Sequence, residues 1–182
     1  FNDNMPEDRN PQIIFHGAEP MMNREAVFEG IRQFGDDFNF GIQTNATLLD
    51  NDALQFLTGR NVGIGLSLDG PVDEIATKTR VNWSGESAYG AVVNTIEALR
   101  GYDRYSVICT VTEENMAHLN DIVDFFHARE VPTCMLNVVR CTLPSARAVK
   151  PDDHTVADHF VRALERTDEL YQETGRKMPV AN

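Results

Sequence analysis

Short apolar runs alternate with helical segments along the chain, and this alternation constrains the fold more than any other feature. Five runs are compatible with half-buried or buried strands. They are Ile13 to Phe15, Phe40 to Ile42, Val62 to Leu66, Tyr105 to Val111 and Met135 to Val139. Strands that alternate with helices indicate right-handed crossovers and a parallel sheet, either open or curled toward a barrel.

Helix boundaries are predicted where a capping side chain precedes an apolar stripe and a glycine follows it. The pairs are Asn23 with Gly35, Asp50 with Gly59, and Ser87 with Gly101. A longer helix is expected from about Asp153 to Arg176, with one buried face. The apolar residues of that face are Val156, Phe160, Leu164 and Tyr171.

The charge balance argues against nucleic acid and anionic membranes as partners. The chain has 182 residues, with 16 Lys plus Arg against 28 Asp plus Glu, and a formal net charge of -12. Binding to a phosphate backbone depends on clustered basic residues, and only three lysines occur. No apolar stretch approaches the roughly 20 residues that span a bilayer. We therefore expect a cytoplasmic protein without nucleic-acid or membrane partners.

Polar motifs follow the first three predicted strands. They are His-Gly-Ala-Glu-Pro at 16–20, Gln-Thr-Asn at 43–45 and Ser-Leu-Asp-Gly-Pro at 67–71. In parallel α/β folds ligands bind at the carboxyl ends of strands, so one pocket can collect all three motifs. Each motif alone has a structural alternative, namely a strand-to-helix turn, a helix cap and a common turn sequence. The unusually long connection between Leu66 and Ser87 favours a functional loop.

Three segments in this order resemble the radical S-adenosylmethionine superfamily. They are Ile13 to Pro20, Gly41 to Leu49, and Gly65 to Pro71 with Arg80 downstream. Within that superfamily, the sequence is most similar to enzymes that modify proteins and ribosomal peptides, such as the anaerobic sulfatase-maturating enzymes. The resemblance implies an α/β fold, a partial (β/α)6 TIM-like barrel. This chain would supply five βα units, with strands two to six of the barrel.

The first segment implies contacts with S-adenosylmethionine. Gly17, Ala18 and Glu19 take the place of the family's Gly-Gly-Glu, which binds the amino group of the methionine moiety. His16 precedes them as a neighbour of the same ligand. Backbone carbonyls and one carboxylate suit an ammonium group. Ala18 replaces the second glycine, which requires that the backbone there does not have a positive φ.

The resemblance implies further cofactor-binding positions. Ser67 is placed to reach the ribose or the carboxylate of the cofactor, and Arg80 to pair with the methionine carboxylate. Asn45 contacts either cofactor or substrate, or it is structural. Val139 lies where a later strand of the family packs against adenine. Asp69, by contrast, is expected to order its own turn.

The cysteines do not supply an iron–sulfur site. Members of the family hold a 4Fe-4S cluster with three cysteines spaced CxxxCxxC, and Cys109, Cys134 and Cys141 lack that spacing. Cys109 lies within an apolar strand and is expected to be a buried small hydrophobe. The resemblance therefore implies cluster ligands outside this chain. Residues 1–182 would be the central part of a core domain that lacks the first βα unit and any C-terminal auxiliary-cluster domain.

The implied reaction is reductive cleavage of S-adenosylmethionine to a 5′-deoxyadenosyl radical, which abstracts hydrogen from a peptide or protein side chain. The implied partners are that substrate and an electron donor such as flavodoxin or ferredoxin. One alternative is a degenerate cofactor- or peptide-binding module without catalysis. Another is an unrelated lyase or aldolase, but neither Lys78 nor Lys150 ends a strand, as such chemistry would require. Residues Glu113 to Asn115 are expected to form a solvated cap, and no catalytic residue is assigned.

Overall fold

Six strands and seven helices alternate in the computed structural model, which describes residues 11–81, 84–140 and 144–181. The strands are β1 (Gln12–Phe15), β2 (Asn39–Thr44), β3 (Gly63–Ser67), β4 (Tyr105–Val111), β5 (Cys134–Val138) and β6 (Val180–Ala181). The helices are α1 (Arg24–Phe34), α2 (Asn51–Gly59), α3 (Asp73–Ala76), α4 (Tyr89–Ala98), α5 (Leu119–Ala128), α6 (Pro144–Arg147) and α7 (Asp153–Thr174). Single 3-10 turns occur at Pro20–Asn23 and Met116–His118.

All strands run parallel, in the order β1-β2-β3-β4-β5-β6, so each strand pairs with its neighbour in sequence. The α/β fold predicted from the alternation is confirmed. The sixth strand was not predicted, and it pairs with β5 through Cys134 opposite Val180 and Met135 opposite Ala181. Within the described ranges β1 pairs only with β2 and β6 only with β5, which leaves the sheet open.

The two faces of the sheet differ in what covers them. On the helix-covered face, Ile42, Leu66 and Leu136 pack into one apolar core with the helices and are at most 2% exposed. The opposite face, called the open face here, carries alternate residues such as Gly65 and Ser106, which are only half-buried. A trough of about 460 Å³ runs along its amino-terminal half. The alternation of side chains along each strand therefore separates a packed face from an accessible one.

The predicted caps hold the helices that follow β1 and β2. An oxygen of Asn23 accepts a hydrogen bond from the amide of Ala26 at 3.4 Å, and an oxygen of Asp50 accepts one from the amide of Ala53 at 2.8 Å. The Ala53 amide, helped by the Arg24 guanidinium, lowers the pKa of Asp50. These contacts fix where each helix begins above the carboxyl edge of the sheet.

The buried face of α7 differs from the predicted one. Val156, Ala163 and Leu170 are buried, whereas Leu164 is 48% and Tyr171 37% exposed. The buried residues recur every seven positions because α7 packs mainly along α5, which covers a narrow stripe. None of the described helices combines the length and apolar character needed to cross a membrane.

Candidate functional site

A cavity of about 540 Å³ lies where the carboxyl ends of β1, β2 and β3 meet. Six of the eight residues predicted to bind cofactor line it, and Gln43 lines it with them. The six are His16, Gly17, Ala18, Asn45, Ser67 and Arg80. The structure therefore gathers three separate sequence motifs at one opening, while the cofactor contacts assigned to each residue stay predictions.

The segment after β1 contains one residue that must be glycine. Gly17 has a φ of 132°, a conformation that a β-carbon strongly disfavours. Ala18 has no positive φ, so the alanine is accommodated where the family pattern has its second glycine. No heavy atom lies within 4 Å of the position that a β-carbon on Gly17 would take. Backbone conformation, and not crowding within the protein, is thus what requires glycine here.

Glu19 lies behind the cavity wall and is only 8% exposed. Its carboxylate accepts hydrogen bonds from the hydroxyl of Thr44, at 2.8 and 2.9 Å, and from the amide of Asn45 at 2.9 Å. It also accepts one from the amide of Met21 at 3.1 Å. Thr44, on the helix-covered face of β2, and Asn45 both line the cavity, whereas Glu19 does not. Glu19 therefore connects the ends of β1 and β2 without lining the cavity itself.

The turn after β2 is held tightly by its own side chains. The Asn45 side-chain oxygen accepts hydrogen bonds from the amide of Thr47 at 3.0 Å and from its hydroxyl at 2.7 Å. The Thr44 hydroxyl accepts one from the amide of Ala46 at 3.0 Å. Ala46 has a φ of 64°, a left-handed conformation that is strained for alanine. These bonds maintain the strain and fix the position of Asn45 at the cavity wall.

Asp69 and Arg80 form an ion pair at the third side of the cavity. The Arg80 Nε donates to Asp69 Oδ2 at 3.1 Å, and Nη2 donates to Oδ1 at 3.4 Å. The Asp69 side chain is 2% exposed and the Arg80 side chain 32% exposed. Asp69 also accepts a hydrogen bond from the hydroxyl of Thr79 at 3.1 Å and from the amide of Thr110 at 2.8 Å. Its side chain therefore connects the turn after β3 to β4 and to the segment that carries Thr79 and Arg80, while the predicted role within its own turn stays a prediction.

Asn115 supports the loop after β3 in a way that the sequence did not reveal. The predicted solvated cap is correct for Glu113 and Glu114, which are exposed, but Asn115 is fully buried. Its amide nitrogen donates to the backbone oxygens of Asp69, at 2.8 Å, and Thr110, at 2.9 Å. Since the contact with Asp69 joins segments 46 residues apart in the chain, no local pattern could have indicated it.

Ser67 and Val139 lie in different positions relative to the cavity. Ser67 ends β3 and is 5% exposed, and its side chain has no hydrogen bond to another described residue. Its hydroxyl thus retains its capacity to bind a ligand. Val139 follows β5 as a half-buried residue whose amide donates to the oxygen of Val111 at 3.0 Å, and it is not among the residues that line the cavity.

The described cysteines lie inside the protein core and do not fit a cluster site. Cys109 and Cys134 are fully buried on the helix-covered face, as expected for Cys109. Burial raises the pKa of Cys134 to about 12, and burial together with the Asp69 carboxylate raises that of Cys109. Across residues 11–81, 84–140 and 144–181, no three His, Cys, Asp or Glu side chains are arranged to hold a metal. Cys141 lies outside these ranges.

Comparison with known families shows which family this chain belongs to. The model of the radical SAM superfamily matches residues 4–126. The chain belongs to this superfamily. An uncharacterized protein from Archaeoglobus fulgidus is 34% identical to it over 178 residues, which cover 98% of the chain and 41% of that relative.

Relatives within the radical SAM superfamily include sulfatase-maturating enzymes. The cysteine-type anaerobic sulfatase-maturating enzyme of Clostridium perfringens is 26% identical over 163 residues, covering 81% of this chain and 43% of that enzyme. The fold matches that of native anSMEcpe with bound AdoMet, with a TM-score of 0.79 at 18% identity. That match covers 96% of this chain and 50% of the other. The chain thus spans half, or less than half, of the length of these relatives.

A second solved structure with the same fold is that of Streptococcus suis SuiB bound to the precursor peptide SuiA. Its TM-score is 0.71 at 12% identity, and the match covers 94% of this chain and 38% of that one. At such identities the likeness concerns the fold alone. It confirms the prediction that this radical SAM chain shares its architecture with a TIM-like partial barrel.

Proposed function

We propose that this chain forms the S-adenosylmethionine-binding part of a radical SAM enzyme that modifies a peptide or protein. The observation that carries the proposal is the cavity at the ends of β1, β2 and β3, where the Arg80 guanidinium, the Gly17–Ala18 segment and a Ser67 hydroxyl with no hydrogen-bond partner among the described residues meet. The sulfatase-maturating enzymes among its relatives support a protein substrate, and the AdoMet-bound structure with the same fold supports the ligand.

The chemistry of the lining residues fits the parts of that ligand. Arg80 would bind the methionine carboxylate, because a guanidinium matches a carboxylate in charge and planar geometry. The carbonyls of Gly17 and Ala18 would accept hydrogen bonds from the amino group, and Ser67 would bind the ribose. His16, Gln43 and Asn45 complete the wall. Bound S-adenosylmethionine supplies a 5′-deoxyadenosyl radical on reductive cleavage.

The role of the protein residues is to orient the ligand and to limit the access of water. Contacts at three separate sites along a ligand fix its position and orientation, and this positioning is a large part of catalysis by cofactor enzymes. The trough along the open face begins next to the cavity, since Gln43 lines both. We therefore propose that the substrate side chain approaches from the trough, past Gln43.

Other parts of the proposal concern groups beyond the cavity. The ligands of a 4Fe-4S cluster would come from outside the described residues. Within the described residues, Cys109 and Cys134 are buried in the core. The electron donor would be a protein such as flavodoxin or ferredoxin, and the location would be the cytoplasm. Val139 is kept in the proposal as an adenine contact, to be made on ligand binding.

The proposal is tested by calorimetric titration of the purified full-length protein with S-adenosylmethionine. Arg80→Ala should weaken binding by at least about tenfold, since it removes a charged hydrogen-bonding partner. Arg162→Ala, at an exposed position of α7, is the matched control and should leave affinity unchanged. Unchanged affinity in Arg80→Ala would reject the proposed site.

Catalysis and binding are separated by a second measurement, on the same protein together with the segment that supplies the cluster ligands. Production of 5′-deoxyadenosine under reducing, anaerobic conditions would establish a radical SAM enzyme. Binding without any 5′-deoxyadenosine, in protein whose cluster has been reconstituted, would instead support a binding module without catalysis.

A further inference from the structure

We infer that Asp69 is a positioning residue, which holds the Arg80 guanidinium in the orientation that binds the ligand carboxylate. This inference rests on the proposed function, because it assigns the orientation of a residue in that same site. Asp69 does not line the cavity itself. It would therefore act on the ligand only through Arg80.

The hydrogen bonds of Arg80 divide its guanidinium into an occupied edge and a free part. A guanidinium has five N–H donors. Asp69 accepts from Nε at 3.1 Å and from Nη2 at 3.4 Å, so it occupies one edge. The donors that remain, on Nη1 and Nη2, have no partner among the described residues and are available to a ligand in the cavity that Arg80 lines. The ion pair thus leaves enough donors for a second, two-point contact with a carboxylate.

Asp69 is itself fixed by contacts that do not involve Arg80. Its carboxylate accepts hydrogen bonds from the amide of Thr110 at 2.8 Å and the hydroxyl of Thr79 at 3.1 Å. Its backbone oxygen accepts one from the buried amide of Asn115 at 2.8 Å. With a side chain that is 2% exposed, Asp69 has little freedom to turn. A fixed carboxylate therefore determines the orientation of a more exposed and intrinsically flexible arginine.

Fixing a flexible side chain before the ligand arrives reduces the entropy lost on binding. A free arginine loses its rotamer freedom when it binds a carboxylate, whereas Arg80 has lost part of this freedom already. The inference therefore predicts a loss of ligand affinity when Asp69 no longer holds Arg80, even though Arg80 keeps its charge.

The main test is Asp69→Asn in the full-length protein. Asparagine keeps an oxygen that accepts the Thr110 hydrogen bond but loses the charge that attracts Arg80. We expect affinity for S-adenosylmethionine to fall by about tenfold, the size of one charge-assisted hydrogen bond. Affinity for 5′-methylthioadenosine, which has no amino acid group, should stay within about twofold. Equal losses for both ligands would mean a merely structural role and overturn the inference.

Two further variants keep the test decisive. Thr79→Val removes one hydrogen bond of Asp69 without touching the ion pair, and it should leave both affinities unchanged. Arg80→Lys keeps the positive charge but cannot make the two contacts with Asp69, and it should weaken binding of S-adenosylmethionine about tenfold. If Asp69→Asn does not fold, full affinity in Arg80→Lys would still overturn the inference.

The failure of this inference can be distinguished from failure of the proposed function. In an Arg80→Ala background, Asp69→Asn should have no further effect, because the residue through which it acts is gone. If Arg80→Ala weakens binding while Asp69→Asn does not, only the positioning role is wrong. If Arg80→Ala leaves the affinity unchanged, the proposed site itself is wrong.

Discussion

The two faces of the sheet use the same strands for different purposes. On the helix-covered face, Leu66 and Val107 are fully buried in the core. On the open face, Gly65, which precedes Leu66 in β3, has no side chain. A β-carbon there would lie 3.2 Å from the Ile108 side chain. Because successive residues alternate between faces, packing in the core and lining of the open-face trough fall to adjacent positions of one strand. Substitutions one residue apart should therefore have separable effects.

The largest expected effect is on the helix-covered face. Leu66→Ala should lower the free energy of unfolding by about 3 kcal/mol, because it leaves a cavity in a closely packed core. Ile14→Ala is the matched control on the open face, where Ile14 is 52% exposed, and should cost less than about 1 kcal/mol. Urea unfolding followed by circular dichroism measures both. Similar losses in the two variants would show that the faces are not divided in this way.

A second effect tests the connection between the core and the cavity. Asn115→Ala should cost about 2 to 3 kcal/mol, because the backbone oxygens of Asp69 and Thr110 lose a buried donor. Asn94→Ala, at an exposed position of α4, should change stability by less than about 0.5 kcal/mol. Urea unfolding again provides the comparison. A loss below about 1 kcal/mol for Asn115→Ala would mean that these bonds do not support the loop after β3.

Two glycine substitutions contrast the site with a helix. Gly17→Ala should cost about 1 to 2 kcal/mol, because alanine is strained at a φ of 132°. Gly90→Ala, in α4 where a β-carbon meets nothing within 4 Å, should instead stabilise by about 0.5 to 1 kcal/mol. Thermal unfolding of the two variants should show changes in the free energy of unfolding that are opposite in sign. The same sign in both would contradict the backbone requirement proposed for Gly17.

The smallest expected effect concerns Tyr105 at the start of β4. Its hydroxyl is buried without a hydrogen-bond partner among the described residues, and burial raises its pKa to about 12. The phenol of Tyr105 ionises near pH 10 in the unfolded chain but stays neutral in the folded chain until about pH 12. The free energy of unfolding therefore falls as pH rises from 10 toward 12.

Tyr105→Phe should remove this part of the pH dependence. At neutral pH it should leave stability within about 1 kcal/mol of the parent protein, since no hydrogen bond is lost. The free energy of unfolding between pH 8 and pH 11 is measured for both proteins. An unchanged slope in the variant would show that another group causes the alkaline loss of stability.

Most of the fold was predictable from local patterns, although α4 has Ala88 as its N-cap and not the predicted Ser87. Apolar alternation located five strands, and the caps at Asn23 and Asp50 located two helix starts. The strand Val180–Ala181 is too short to show a period of two, so its place depends on pairing with β5. The exposure of Leu164 depends likewise on how narrowly α5 covers α7, which no single helix sequence reveals.

The candidate site was predictable in its location but less so in its internal contacts. The position of Ser67 at the opening followed from its place at the end of a strand, and that of Arg80 from the family resemblance. The orientation of Glu19 toward Thr44 and the burial of Asn115 depend on segments brought together only by folding. Long-range contacts of this kind have no spacing rule, so sequence patterns did not reveal which of these groups line the cavity.

The order of strands in the sheet also has a consequence for how the chain folds. Each strand from β2 to β6 pairs with the one that precedes it, so none of the described strands has to wait for a distant part of the sequence. As the ribosome releases the chain, the strand with which each new βα unit pairs has already been synthesised. Folding can then proceed by stepwise addition from the first strand onward, with the residues of the cavity assembled once β3 and the segment that carries Arg80 have emerged.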